Sequence, residues 1–69
     1  MLEDLFRLDG KVVVITGATG LLGRKHSEAI ACYGGTPILL DLSQQAVDSF
    51  ASELNDEYNV GSIGFAIDI

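Results

Sequence analysis

Cysteine occurs once in these 69 residues, at Cys32, so no disulfide can form within the chain. His26 is the sole histidine. One cysteine and one histidine cannot make the four-ligand set of a structural zinc site. Basic residues are also scarce. Arg7, Lys11, Arg24 and Lys25 are the only four, none lies beyond position 25, and ten acidic residues bring the net charge to −6. A nucleic-acid or anionic membrane surface is gripped through a basic patch, which excludes both as main partners. No apolar run approaches the ~20 residues a membrane-spanning helix needs. The start, Met1-Leu2-Glu3-Asp4, is acidic and lacks the basic-then-apolar layout of a secretory leader, so cytoplasmic residence is the expectation. A chain this short buries only about 60% of its unfolded surface. With neither disulfide nor metal, support is expected from a partner chain or from further sequence.

What is present is patterned apolar sequence, 48% of all residues. Leu5, Phe6 and Leu8 form a lead-in that ends at a turn, Asp9-Gly10-Lys11. Val12 to Thr16 is β-branched and apolar on both faces, as in a strand of a buried parallel sheet. Gly17 to Gly20 make a glycine-rich turn. Leu21 to Tyr33 reads as a helix with Leu22, His26, Ala29, Ile30 and Tyr33 on one stripe, stopped by Gly34-Gly35. Pro37 opens a second strand, Ile38 to Asp41, at a place where its missing N–H is tolerated. Ser43 is a good N-cap for a second helix with Val47, Phe50, Ala51, Leu54 and Tyr58 inward. A turn over Asn59 to Gly61 leads to a third strand, Ile63 to Ile67.

The pattern βαβαβ predicts an α/β unit of three parallel strands joined by two helical crossovers. Such crossovers are right-handed in about 98% of cases. In strand order 3-2-1 both helices then cover one face of the sheet. The other face would expose Val12 to Ile15 and Ile63 to Ile67 on strands that are apolar on both sides. Soluble monomers avoid patches of that kind. The expectation is that residues 1–69 are part of a larger doubly wound domain, with the bare face covered by the remainder of a longer chain or by self-association.

Chemistry concentrates in Thr16-Gly17-Ala18-Thr19-Gly20-Leu21-Leu22-Gly23, between strand and helix. Gly17 permits a tight turn, Gly20 lets the backbone approach a pyrophosphate, and Gly23 lets the helix pack closely on the sheet. Leu21 and Leu22 open the helix, whose free N–H groups and positive dipole end suit phosphate oxygens. The hydroxyls of Thr16 and Thr19 can bond the turn. Asp41 ends the second strand, 18 residues after Gly23, where a Rossmann acid binds the adenosine ribose hydroxyls. Leu42 follows it. No Arg or Lys stands nearby to take a 2′-phosphate, so the expected cofactor is NAD rather than NADP. The plain alternatives are a structural turn without a nucleotide, and an Asp41 that merely caps its own turn. A P-loop requires G-x-x-x-x-G-K-[ST], and the spacing from Gly17 does not supply it.

From Asp9-Gly10-Lys11 through Val12-Val13-Val14-Ile15-Thr16-Gly17-Ala18, the sequence resembles the start of a short-chain dehydrogenase/reductase, and the likeness extends from about Leu5 to Ile69. The resemblance implies a Rossmann-like half-domain in which Gly17, Gly20 and Gly23 bind the dinucleotide and Asp41 holds the ribose. It also implies a place for Asp68 beside the adenine ring, flanked by Ile69, although Asp68 reads equally as the N-cap of a following helix. Thr19 stands where members that prefer NADP often carry a basic residue. One subclass spaces its glycines G-x-x-x-G-x-G. The spacing here, G-x-x-G-x-x-G, is that of the extended subclass.

The family's hydride transfer between a nicotinamide cofactor and an alcohol or carbonyl uses Tyr-x-x-x-Lys with a Ser and usually an Asn. Pro37 and Ser62 stand four places after Tyr33 and Tyr58, and no lysine follows Lys25. No catalytic residue is therefore expected within the chain, and the 69 residues alone are expected to be inactive. A non-catalytic nucleotide-binding or self-associating module is the alternative function. Cys32 reads as a packed or idle thiol rather than a nucleophile, and His26 as a histidine at the edge of the core.

Overall fold

A computed structural model describes residues 8–68. The elements follow the expected order: β1 (Val12–Thr16), α1 (Leu21–Cys32), β2 (Thr36–Asp41), α2 (Gln44–Tyr58) and β3 (Ile63–Ala66). Leu5 and Phe6 of the lead-in lie outside the described residues. Its end is a tight turn in which Lys11 N–H donates to Leu8 C=O (2.8 Å) and Gly10 takes φ +78°.

The three strands are parallel in the order β1-β2-β3, the predicted 3-2-1 read from the other edge. Val14 pairs with Ile38 and Ile38 with Ile63; Thr16 pairs with Leu40 and Leu40 with Phe65. Pro37 sits in the central strand without orphaning an acceptor. Strand β3 starts opposite Ile38, one residue later, and the Pro37 carbonyl accepts the buried Ser62 hydroxyl (2.6 Å). β2 thus begins one residue before the predicted proline, and β3 ends one residue early, although Ile67 N–H still reaches Asp41 C=O (2.8 Å).

Both helices lie on one face of the sheet. Leu39, Val47, Phe50, Ala51 and Leu54 form the buried core with Ala18 and Ala31, and Tyr58 packs half-buried at its edge. The inward face expected for α2 is the one observed. Ser43 caps it, its side chain accepting from Ala46 N–H at 3.2 Å, and Asn59 closes it in the left-handed conformation.

The stripe expected on α1 is not the buried one. Leu22 is 68% exposed, Tyr33 47%, and His26 and Ala29 are exposed; of the predicted five, only Ile30 is half-buried. Ser27 and Ala31 face inward instead, with Gly23 half-buried on the same side. Small residues at four-residue spacing let the helix axis come close to the strands. A Cβ on Gly23 would stand 2.1 Å from the Gly17 carbonyl oxygen. His26 and Cys32 are exposed, so His26 does not occupy the core edge. The helix ends as expected: Gly34 takes φ +89°, Gly34 N–H bonds Ala31 C=O (3.0 Å) and Gly35 N–H bonds Ile30 C=O (2.9 Å), a Schellman pattern.

Among the described residues, no helix covers the opposite face of the sheet. Val12, Val14, Ile63 and Phe65 point away from both helices and are about half exposed or more. No helix among the described residues is long and apolar enough to cross a membrane, and they hold no group of His, Cys, Asp and Glu able to bind a metal.

Candidate cofactor-binding site

The carboxyl ends of three parallel strands meet the glycine turn at one end of the sheet. Ligands of open α/β sheets bind outside those ends. A pocket of about 210 Å³ opens there, lined by Gly17, Leu40, Asp41, Leu42 and Ile67. Gly17 leaves β1 with φ +62°, a conformation that L side chains rarely adopt. Ala18 is fully buried, and its N–H donates to Leu40 C=O (3.2 Å), which ties the turn to β2. Gly20 N–H closes the turn on Gly17 C=O (3.1 Å).

Gly20 is the N-cap of α1 and supplies no side-chain cap. The N–H groups of Leu21, Leu22 and Gly23 therefore begin the helix without intrahelical partners. Leu21 and Leu22 are 82% and 68% exposed and are not among the residues lining the pocket. A Cβ at Gly20 would meet only ordinary contact, 3.4 Å from the Gly17 oxygen. Nothing internal requires glycine there; an approaching phosphate would.

Asp41 is the electrostatic centre. Thr19 donates to its Oδ2 twice, from N–H at 2.9 Å and from Oγ1 at 2.5 Å. Leu42 N–H donates to Oδ1 at 2.8 Å. The Thr19 hydroxyl above all, then the two N–H groups, hold the carboxyl below its ordinary range against a small opposing effect of burial. The group is an anion at neutral pH.

Thr16 ends β1 with its side chain exposed on the bare sheet face, off the pocket wall. Asp68 is exposed beyond β3 and is not among the lining residues; Ile69 lies outside the described residues. Leu40 and Ile67 line the pocket, and sequence reasoning missed both. Their signal was position: Leu40 precedes Asp41, and Ile67 precedes Asp68 at the corresponding end of β3. Arg24 is turned away, bonded to Glu53 (3.4 Å) and stacked over Phe50 at 4.3 Å from the ring centre. Tyr33 and Tyr58 stand at the carboxyl ends of the helices, the opposite end of the sheet from the pocket. Burial first, then the carboxylates of Glu57 and Glu28 and the Cys32 thiol, push the Tyr58 phenol up.

No protein-family model matches the chain. Curated relatives do. The 7alpha-hydroxysteroid dehydrogenase of Bacteroides fragilis is 36% identical over 50 residues, 72% of this chain and 19% of that protein. The D-threitol dehydrogenase of Mycolicibacterium smegmatis is 34% identical over 64 residues, 93% of this chain and 24% of that protein. Among solved structures, a short chain dehydrogenase from Salmonella enterica superposes with TM-score 0.81 at 31% identity, over 88% of this chain and 25% of the other. This sequence belongs to the short-chain dehydrogenase/reductase family. The L-sorbose reductase of Gluconobacter frateurii, solved with NADPH and L-sorbose, superposes with TM-score 0.87 at 27% identity, over 91% of this chain and 24% of that one. The chain thus spans about a fifth to a quarter of the length of these dehydrogenases and reductases.

Proposed function

We propose that this chain binds the adenosine half of a nicotinamide dinucleotide, and that residues 1–69 are part of a larger dinucleotide-binding domain. The observation that carries the reading is the meeting of Asp41 with the glycine turn at the pocket mouth. Leu40, Leu42 and Ile67 offer apolar walls to a flat base. The carboxylate offers an acceptor to a ribose hydroxyl, and the open N-terminus of α1 offers N–H groups to the pyrophosphate. The bound cofactor would supply the hydride chemistry.

NAD is the preferred form in this reading. Asp41 is held ionised, and a 2′-phosphate on the ribose would bring like charge against it. Arg24 is engaged with Glu53 and Phe50 and does not relieve that repulsion. Titration calorimetry of the chain with NAD and NADP tests this. Asp41→Ala is expected to weaken NAD roughly tenfold or more, the size of a charge-assisted hydrogen bond, and to narrow its advantage over NADP. Equal NAD affinity in wild type and variant would contradict the role given to Asp41.

A longer protein carrying this segment would act as an oxidoreductase on an alcohol or carbonyl. The relatives are dehydrogenases and reductases. Among the described residues, both tyrosines stand at the far end of the sheet from the pocket. Catalytic groups would come from elsewhere in such a protein.

A further inference from the structure

A carboxylate has about four lone-pair sites, two on each oxygen. Both sites on Asp41 Oδ2 are filled from within the chain, by the Thr19 N–H at 2.9 Å and the Thr19 hydroxyl at 2.5 Å. Leu42 N–H takes one site on Oδ1. One site remains for a ligand. A ribose diol has two adjacent hydroxyls and can use two acceptor sites, one on each oxygen. Three of the four sites on this acid are thus filled from within the chain before any ligand arrives.

We propose that the Thr19 hydroxyl is an internal competitor for the ribose, occupying the Oδ2 site that a second ribose hydroxyl would otherwise use. The proposal rests on the dinucleotide reading of the pocket. Its consequence is that Thr19 limits Asp41 to one ribose hydroxyl, or makes the second displace a 2.5 Å contact. Either way, the hydroxyl of Thr19 sets affinity for the adenosine half without touching the cofactor itself. Thr19 is a positioning and tuning residue, and it acts through Asp41. The N–H of the same residue keeps the turn tied to Asp41 whatever the side chain is, so removing the hydroxyl frees an acceptor without releasing the turn.

The test is calorimetric titration of wild type, Thr19→Val and Thr19→Ser with NAD and with NAD lacking the adenosine ribose 2′-hydroxyl, repeated with the 3′-deoxy analogue. Valine keeps the branched shape and lacks the donor. Thr19→Val is expected to bind NAD roughly tenfold tighter than wild type, about 1.4 kcal/mol. The gain should disappear with one of the two deoxy analogues, and Thr19→Ser should return the affinity toward wild type. A merely structural role for Thr19 would weaken binding to all three ligands alike. Thr19→Val binding NAD no tighter than wild type, or a gain that survives both deletions, would overturn the proposal while leaving the dinucleotide reading in place. Amide spectra of each variant establish that it is folded. A folded wild type that binds no NAD would overturn both. If Thr19→Val does not fold, Thr19→Ala with the same ligands carries the same expectation.

Discussion

An alanine at Gly23 would place its Cβ 2.1 Å from the Gly17 oxygen and 2.9 Å from Ala18 Cα, backbone atoms that cannot swing aside. Gly23→Ala is therefore expected to cost about 3 kcal/mol or more, a large share of the stability of so small a chain, read as a lower urea midpoint. Gly20→Ala meets only a 3.4 Å contact and should change stability by under about 1 kcal/mol while weakening NAD. Equal losses in the two variants would contradict this division of roles. Asp41 adds a dependence on pH. Its carboxyl is lowered from 3.8 by Thr19 and Leu42, so its contribution is present above that value and is lost as pH falls through the lower folded value. Urea unfolding at neutral and strongly acidic pH should show wild type losing more stability on acidification than Asp41→Asn. The reverse order would contradict the hydrogen-bonding account. At this scale the turn glycines and Asp41 were legible, because each is fixed by spacing from a strand end. The Thr19 bonds to Asp41 were not, because they join residues 22 apart through side-chain rotamers that no pattern encodes.

The two helices differ in how well hydropathy describes them. Helix α2 buries Val47, Phe50, Ala51 and Leu54, large or clearly apolar residues at helical spacing, and its inner face could be read directly. Helix α1 buries Ser27 and Ala31 beside Gly23, and a search for large apolar residues selects the wrong side. The reason is close approach: Ser27 donates its hydroxyl to Gly23 C=O (2.8 Å), so even its polar atom is satisfied within the helix. The ends of α2 rest on local chemistry that sequence does show. Ser43→Ala should remove the bond to Ala46 N–H and cost about 1 kcal/mol in urea unfolding, whereas Ser43→Asp should be near neutral. A loss below a few tenths would show that the cap contributes little. Gln44, the next residue, was unreadable. Its amide donates to Gly64 C=O (3.0 Å) and accepts from Ala66 N–H (2.9 Å). Because Ile67 N–H turns toward β2, these groups point to the outer edge of β3, and Gln44 covers that edge as a short surrogate strand.

At the scale of the whole molecule, the described residues form one layer of helices on one three-stranded sheet. Val12, Val14, Ile63 and Phe65 are left on the uncovered side, with Leu21 and Leu22 exposed on α1 and Tyr33 exposed at its C-cap. Parallel sheets are usually covered on both faces. The bare face was legible because it follows from strand alternation and the handedness of crossovers. In the chain by itself we expect that face to drive self-association. Sedimentation velocity should show weight increasing with concentration, and Val14→Thr with Phe65→Thr should shift the population toward monomer. A chain that stays monomeric at every concentration would contradict this expectation. Fold, strand order and the end of the sheet that holds the pocket thus came from pattern and topology. The composition of the pocket wall depended on which residues of β2 and β3 turn toward Gly17.

Whether a dinucleotide binds at the carboxyl end of this sheet is decided by titrating the chain with NAD and following its amide NMR signals. Binding there is expected to give saturable shifts at Gly17, Thr19, Gly20, Leu21, Leu42 and Ile67, with Tyr33, Tyr58 and Asn59 at the other end unmoved. Shifts at the far end of the sheet, or none in a folded chain at millimolar NAD, would contradict it.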